Sequence, residues 1–186
     1  MKGCRPLTED EVKAVAQKLL EQSHTNGFRN RLLFLLGCKT GFRIAELLSL
    51  RVKDVFAHDK VSKRATVNKC NMKGEIETRS VVLAESVKPL LNEYIRSNGL
   101  KADDRLFPVT TVAAHLFMSK AFDVLRLDGK VATHSMRKTF ANHVYKALNH
   151  DLVKTQAAMG HKWVSTTAQY ISFAQEDVDE AILSAG

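Results

Sequence analysis

The run Met159-Gly160-His161-Lys162-Trp163-Val164-Ser165-Thr166-Thr167-Ala168-Gln169-Tyr170 sets a glycine, a histidine and a phenol at fixed intervals near the C-terminus. A phenol ionises near pH 10 and is a poor nucleophile as it stands, so an attacking tyrosine needs cations to stabilise its anion and a base to take its proton. The rest of the chain offers both, in Arg43, Lys73, His134, Arg137 and His161. Cations, proton-transfer groups and one nucleophile, with no metal-ligand spacing among them, form a set suited to phosphoryl transfer. Singly, each residue has an ordinary explanation. Tyr170 reads as an amphipathic side chain near the end of a domain. Arg43 and Glu46, at i and i+3, read as a helical ion pair worth roughly 0.3 kcal/mol, and Lys73 as a solvated turn that keeps a strand edge soluble. The functional alternative for Arg43 is that Glu46 orients its guanidinium, whose planar fork can grip two phosphate oxygens.

These residues need elements to hold them. Thr8-Glu9-Asp10-Glu11 has the form of a capping box, and Val12, Val15, Ala16, Leu19 and Leu20 follow at helical spacing, which predicts a helix over about 9–22. Ser23 to Gly27 breaks it, and a second helix carries Leu32 to Cys38 into the core. Gly41 permits a sharp turn before a short helix that starts close to Arg43. Strand-like segments at 52–57, 65–70 and 78–83 predict a small three-stranded antiparallel sheet, with Asn71-Met72-Lys73-Gly74-Glu75 as a hairpin turn.

The 3.6-residue period returns over 86–96 and 112–125. Thr133 to about Leu148 forms a further helix that sets His134 and Arg137 one turn apart on one face, so both can address one ligand. A helix over 151–159 ends at Gly160, which leaves His161 just beyond. Acids open the tail, and Val178, Ala181, Ile182 and Leu183 keep helical spacing, predicting a terminal amphipathic helix over about 174–185 that docks on its own domain or on a neighbour. Trp163 has two readings, a packing residue beside the His161 loop, which is preferred, or a platform for DNA bases. His143 and His150 read as solvated or capping residues, while His24, His58 and His115 join no constellation.

A chain of 186 residues, 45% hydrophobic, suits one ordinary domain. Its net charge of +8 and pI near 9.5 favour a polyanionic partner such as nucleic acid. Cys4, Cys38 and Cys70 are odd in number and lack CxxC spacing, which argues for neither a disulfide framework nor a zinc ribbon. The longest apolar run, Leu32 to Leu36, is too short to span a bilayer.

The chain resembles the tyrosine recombinase (phage integrase) family. Thr40-Gly41-Phe42-Arg43-Ile44-Ala45-Glu46 is similar to its first-arginine box, and His134-Ser135-Met136-Arg137 to its His-x-x-Arg box. Met159-Gly160-His161 through Thr166-Thr167 to Tyr170 resembles its Leu-Gly-His and tyrosine boxes, with Met159 in the usual leucine position, a volume-conserving swap. The resemblance runs from about Leu7 to Val178 and implies an α+β, mainly helical catalytic domain. It implies that Tyr170 attacks a DNA phosphodiester to give a 3′-phosphotyrosyl link and a free 5′-hydroxyl. Arg43 and Arg137 would hold the non-bridging oxygens, and His134 and His161 would assist by hydrogen bonding and proton transfer, with His134 the favoured base. Lys73 would protonate the leaving oxygen, with Lys69 as second choice.

The same resemblance implies double-stranded DNA as substrate, a homo-oligomer (the synaptic tetramer) with the tail helix as a contact between copies, and accessory DNA-bending proteins. No membrane, metal or nucleotide cofactor is expected, and the setting would be cytoplasmic, nucleoid-associated, in a bacterium or phage. The boxes begin almost at the start of the chain, so the expected organisation is one catalytic domain over 1–186 without an N-terminal core-binding domain. Such a domain has either been trimmed away or is lacking in a compact recombinase. Two competing functions share these features: a type IB topoisomerase-like relaxing enzyme, and a non-catalytic DNA-binding regulator that kept the fold.

Overall fold

In the computed structural model, residues 3–67, 78–171 and 182–184 are described. The chain divides into two compact units, Met1–Phe140 and Ala141–Gly186.

The first unit opens with helix α1 (Glu9–Glu21), whose start is fixed as its sequence predicts. The Thr8 hydroxyl accepts the Glu11 N–H at 3.2 Å, and the Glu11 carboxylate accepts the Thr8 N–H at 2.9 Å, satisfying two donors that helix geometry leaves without partners. Helix α2 (Gly27–Thr40) packs against α1, burying Leu32, Leu33, Phe34 and Leu36 beside Val15 and Leu19. Each such side chain contributes about 2 kcal/mol by leaving water. Gly41 ends α2 in the left-handed conformation, with φ +62°, and helix α3 (Ile44–Ser49) follows directly.

The expected strand over 52–57 does not form as a unit. The Asp54 carboxylate accepts the Arg51 N–H at 2.7 Å and winds Val52–Asp54 into a 3-10 turn. What remains is strand β1 (Phe56–Ala57), paired with β2 (Lys60–Val61) across His58 and Asp59, both at positive φ. Strand β3 (Arg64–Val67) pairs antiparallel with β4 (Arg79–Val82) in the register Val67 opposite Arg79. The small antiparallel sheet is thus two two-stranded ladders among the described residues rather than one of three strands. The expected hairpin turn, with Lys69, Cys70 and Lys73, lies outside the described residues.

Helix α4 (Lys88–Ser97) presents Leu91, Tyr94 and Ile95 to the core, where Tyr94 stacks on Phe107 at 6.1 Å and meets the edge of Phe28 at 6.0 Å. The extended stretch around Phe107 is anchored by the Leu106 N–H donating to the Leu50 carbonyl at 2.8 Å. Helix α5 (Thr111–Val124) packs on α1 and α3. The long helix α6 (Thr133–Ala147) begins in this unit, and its Met136 fits against Gly37, where an added Cβ would lie 2.7 Å from the methionine sulfur.

The second unit takes the last turns of α6, a turn through Asn149 and His150 at positive φ, helix α7 (Leu152–Met159) and helix α8 (Val164–Ala168). Asp151 caps α7, accepting the Lys154 N–H at 2.9 Å. Of the expected tail helix only 182–184 are described, and they are helical. Among the described residues no helix is long and apolar enough to cross a membrane.

Candidate active site

In the first unit, the turn at Gly41 delivers Arg43 to the mouth of α3. Glu46, one turn on and 3% exposed, accepts the Arg43 backbone N–H at 2.5 Å through Oε2 and pairs with the Arg43 guanidinium at 3.2 Å through Oε1. The Arg43 side chain is itself about half exposed, at 49%. A guanidinium steered from behind by a buried carboxylate and open in front can take an incoming anion with its fork. This is more than the ordinary surface pair that i, i+3 spacing suggests.

Arg137 is fully buried, and its Nη1 donates to the Gly41 carbonyl. The first turn of α6 therefore meets the turn ahead of Arg43, as two residues addressing one ligand would require. His134, on the same turn of α6, is half buried. Burial, then the neighbouring Arg137, Arg43 and Lys138 charges, hold its imidazole below the usual histidine range. This favours the uncharged imidazole at neutral pH.

Sequence reasoning missed Arg79. It enters from β4 in phase with the buried Val81 and Leu83, so its side chain points inward. Its guanidinium donates to the Thr40 carbonyl at 3.2 Å, the Gly41 carbonyl at 3.3 Å and Glu46 Oε2 at 3.3 Å, and lies over the Phe42 ring at 4.8 Å. Burial first, then Arg137, push its pKa down to about 9, which leaves it cationic at neutral pH. Among the described residues, two guanidiniums, Arg43 and Arg79, thus pair with the one Glu46 carboxylate, and Arg137 joins Arg79 on the Gly41 carbonyl beside them. The period-2 alternation of Arg79-Ser80-Val81-Val82-Leu83 was the available signal, since it sets a cation on the buried face.

The second unit holds His161 and Tyr170. Gly160 ends α7 with φ +62°, and the released chain is pinned by Gln156, whose side-chain amide donates to the His161 and Lys162 carbonyls at 3.0 and 3.1 Å. His161 is buried, its Nδ1 2.9 Å from the Thr167 hydroxyl of α8, which fixes the ring plane. Tyr170 follows α8. Its backbone N–H donates to the Thr167 carbonyl at 2.9 Å, its carbonyl accepts the Asn142 amide at 2.9 Å, and its ring centroid lies 5.0 Å from that of His161. Histidine and phenol are therefore neighbours in this unit.

Other expectations resolve differently. Trp163, preferred as a packing residue, is 64% exposed at the N-cap of α8, with the Lys162 ammonium 5.5 Å from its ring. His115, left without a constellation, has Nδ1 3.2 Å from the Thr133 hydroxyl at the start of α6. His150, read as solvated or capping, is exposed just past α6, where its N–H donates to the Tyr145 carbonyl at 2.9 Å and its ring lies 5.0 Å from that of Tyr145, in keeping with that reading.

The sequence profile of the Phage integrase family matches residues 5–177. The chain belongs to that family. This phage integrase family member is 28% identical over 174 residues to the probable integrase/recombinase YoeC of Bacillus subtilis, an alignment that takes in 90% of this chain and 88% of that one. It is 29% identical over 181 residues to the tyrosine recombinase XerA of Saccharolobus solfataricus, covering 94% of this chain and 57% of the relative. Among solved structures it matches the XerH site-specific recombinase bound to palindromic difH substrate in a post-cleavage complex, with a TM-score of 0.76 at 25% identity over 95% of this chain and 51% of that chain. A crystal structure of XerA recombinase matches at a TM-score of 0.75 and 22% identity, over 99% of this chain and 64% of that one, a likeness of fold. The family member spans a little over half the length of these XerA and XerH chains. Its mainly helical α+β architecture is that of tyrosine recombinase catalytic domains.

Proposed function

We propose that this chain is a site-specific DNA recombinase that cleaves and rejoins double-stranded DNA through a 3′-phosphotyrosyl intermediate on Tyr170. The Tyr170 phenolic oxygen attacks the scissile phosphorus and forms the Tyr–O–P bond while the P–O5′ bond breaks. The phenolic proton passes to His134, the departing 5′-oxygen takes a proton from Lys73, and the 5′-hydroxyl so freed attacks in the reverse step. The phosphate ester is exchanged rather than hydrolysed, so no energy source is consumed. Arg43 and Arg137 hold the non-bridging oxygens as charge builds, a contribution of about 3 kcal/mol for each well-placed donor. His161 assists beside the phenol.

The observation that carries this reading is the surplus of guanidinium charge around buried Glu46, opened to solvent at Arg43. Such a cluster is relieved by an anion, and a phosphodiester supplies one with the oxygens that an Arg fork fits. An uncharged imidazole at His134 suits the base, and the His161–Tyr170 neighbourhood suits the nucleophile. Relatives named as recombinases, and the XerH structure bound to its difH substrate, support DNA as the substrate. On the same grounds we propose that copies of the chain act together on two DNA sites as a synaptic tetramer, with accessory DNA-bending proteins as further partners, and that 1–186 works as a catalytic domain.

The test is incubation with nicked suicide duplexes drawn from DNA beside the gene, followed by denaturing electrophoresis. A covalent protein–DNA adduct that Tyr170→Phe abolishes is the expected result. Binding to the duplex without any adduct would turn the reading toward a regulator that binds DNA and leaves it intact.

A further inference from the structure

Arg79 is an expensive residue to keep where it stands. A strand face that otherwise carries Val81 and Leu83 would be cheaper with a third apolar side chain, since a buried charge must be repaid by its partners. The contacts that repay it share one feature: the Thr40 and Gly41 carbonyls, the Phe42 ring and the Glu46 carboxylate all lie within residues 40–46, the segment that delivers Arg43. Its own exposure is 9%, and its fork faces main-chain oxygens, so Arg79 is poorly placed to touch DNA.

The division of labour on Glu46 is specific. Oε1 meets the Arg43 guanidinium, whereas Oε2 takes both the Arg43 backbone N–H and the Arg79 Nη1. Tilting the carboxylate plane would stretch these bonds together, and the Arg79 Nη1 bond to Oε2 is one of the contacts that hold the plane. The Gly41 carbonyl is shared in turn by Arg79 and Arg137. One buried guanidinium thereby reaches the supports of both arginines assigned to the phosphate.

We propose that Arg79 is a positioning residue for strand cleavage, which sets the Glu46 carboxylate and the Gly41 carbonyl so that the Arg43 and Arg137 forks are aligned before DNA arrives. The proposal rests on the functional reading above. It assigns Arg79 no contact with the reacting atoms.

The test uses the full chain and a nicked duplex, with either an ordinary scissile phosphate or a methylphosphonate there. The methylphosphonate lacks one anionic oxygen, so alignment of the guanidiniums matters less. Arg79→Met removes the charge at similar length, and adduct formation on the phosphodiester is expected to slow about 10²-fold, the scale of a small misplacement, with DNA affinity held within about twofold. On the methylphosphonate the same variant should fall within about threefold of wild type. Equal slowing on both duplexes, or no slowing on the phosphodiester, overturns the proposal. Should Arg79→Met not fold by thermal melting, Arg79→Lys carries the comparison, with about tenfold slowing expected on the phosphodiester alone.

The functional reading is separated by its own control, because a wild-type chain that makes no Tyr170-dependent adduct fails that reading directly. In that event alignment is read without DNA, by phenylglyoxal modification of Arg43 followed by mass spectrometry. Arg43 of Arg79→Lys should react about threefold faster than in wild type as its support loosens, and an unchanged rate overturns the proposal.

Discussion

The Arg137 guanidinium donates a hydrogen bond to the carbonyl of Gly41, 96 residues earlier in the chain. The contact ties the first turns of α6 to the turn ahead of Arg43, and it demands that Gly41 present its carbonyl from a left-handed conformation. An alanine there would be strained by its φ of +62° and would set its Cβ 2.3 Å from the Phe140 ring. Gly41→Ala should therefore lower the unfolding free energy by roughly 3 kcal/mol, read as an earlier urea midpoint, and depress adduct formation with it. A midpoint equal to wild type would show that the turn yields without cost.

His134 makes stability depend on pH. Its folded-state pKa lies below the ordinary 6.5, so the unfolded chain binds the proton more readily. The contribution is complete above about pH 6.5 and is lost as pH falls from there through the folded-state value. Urea unfolding at pH 7.5 and 5.5 should show His134→Gln losing less stability between the two than wild type does. A loss of the same size in both proteins would assign the pH dependence elsewhere.

The Thr167 hydroxyl supports the His161 ring. Thr167→Val keeps the shape but removes the oxygen 2.9 Å from His161 Nδ1, leaving a buried ring nitrogen without that partner. The expected cost is about 1–2 kcal/mol in stability, with a slower covalent step that Thr167→Ser restores. If Thr167→Ser and Thr167→Val behaved alike in single-turnover cleavage, the hydroxyl would have no part in holding the ring.

The proposed role of Lys73 concerns only the leaving group. Lys73→Ala should slow cleavage of an ordinary phosphodiester far more than that of a duplex whose bridging 5′-oxygen is sulfur, because a thiolate departs without an acid. Equal slowing on both, followed on denaturing gels, would remove Lys73 from that role.

Much of this arrangement was legible in the chain because it rests on local rules. The Thr8–Glu11 box starts α1, Gly160 ends α7, and one helical turn brings His134 to Arg137. The phenol and the imidazole of the Met159–Tyr170 run are neighbours because a short helix of fixed pitch joins them. Long-range relations were hidden. Arg79 looked like one charge in a strand because its partners lie 33 to 39 residues away. The 52–57 segment looked extended because Val52, Val55 and Phe56 favour strands, whereas a single Asp54 side-chain bond decides for a 3-10 turn. Trp163 looked like a packing residue because a large aromatic ring gains by burial, but at the N-cap of α8 it stands exposed.

Besides the Glu46 and Phe42 side chains that Arg79 meets, Arg79 and Arg137 grip the main-chain oxygens of Thr40 and Gly41. Every residue type carries that carbonyl, so a change at position 40 alters packing without deleting an acceptor. The geometry around Arg43 is insulated in this way from much of the drift in its own neighbourhood, and the glycine at 41 stands out as the place where the insulation ends.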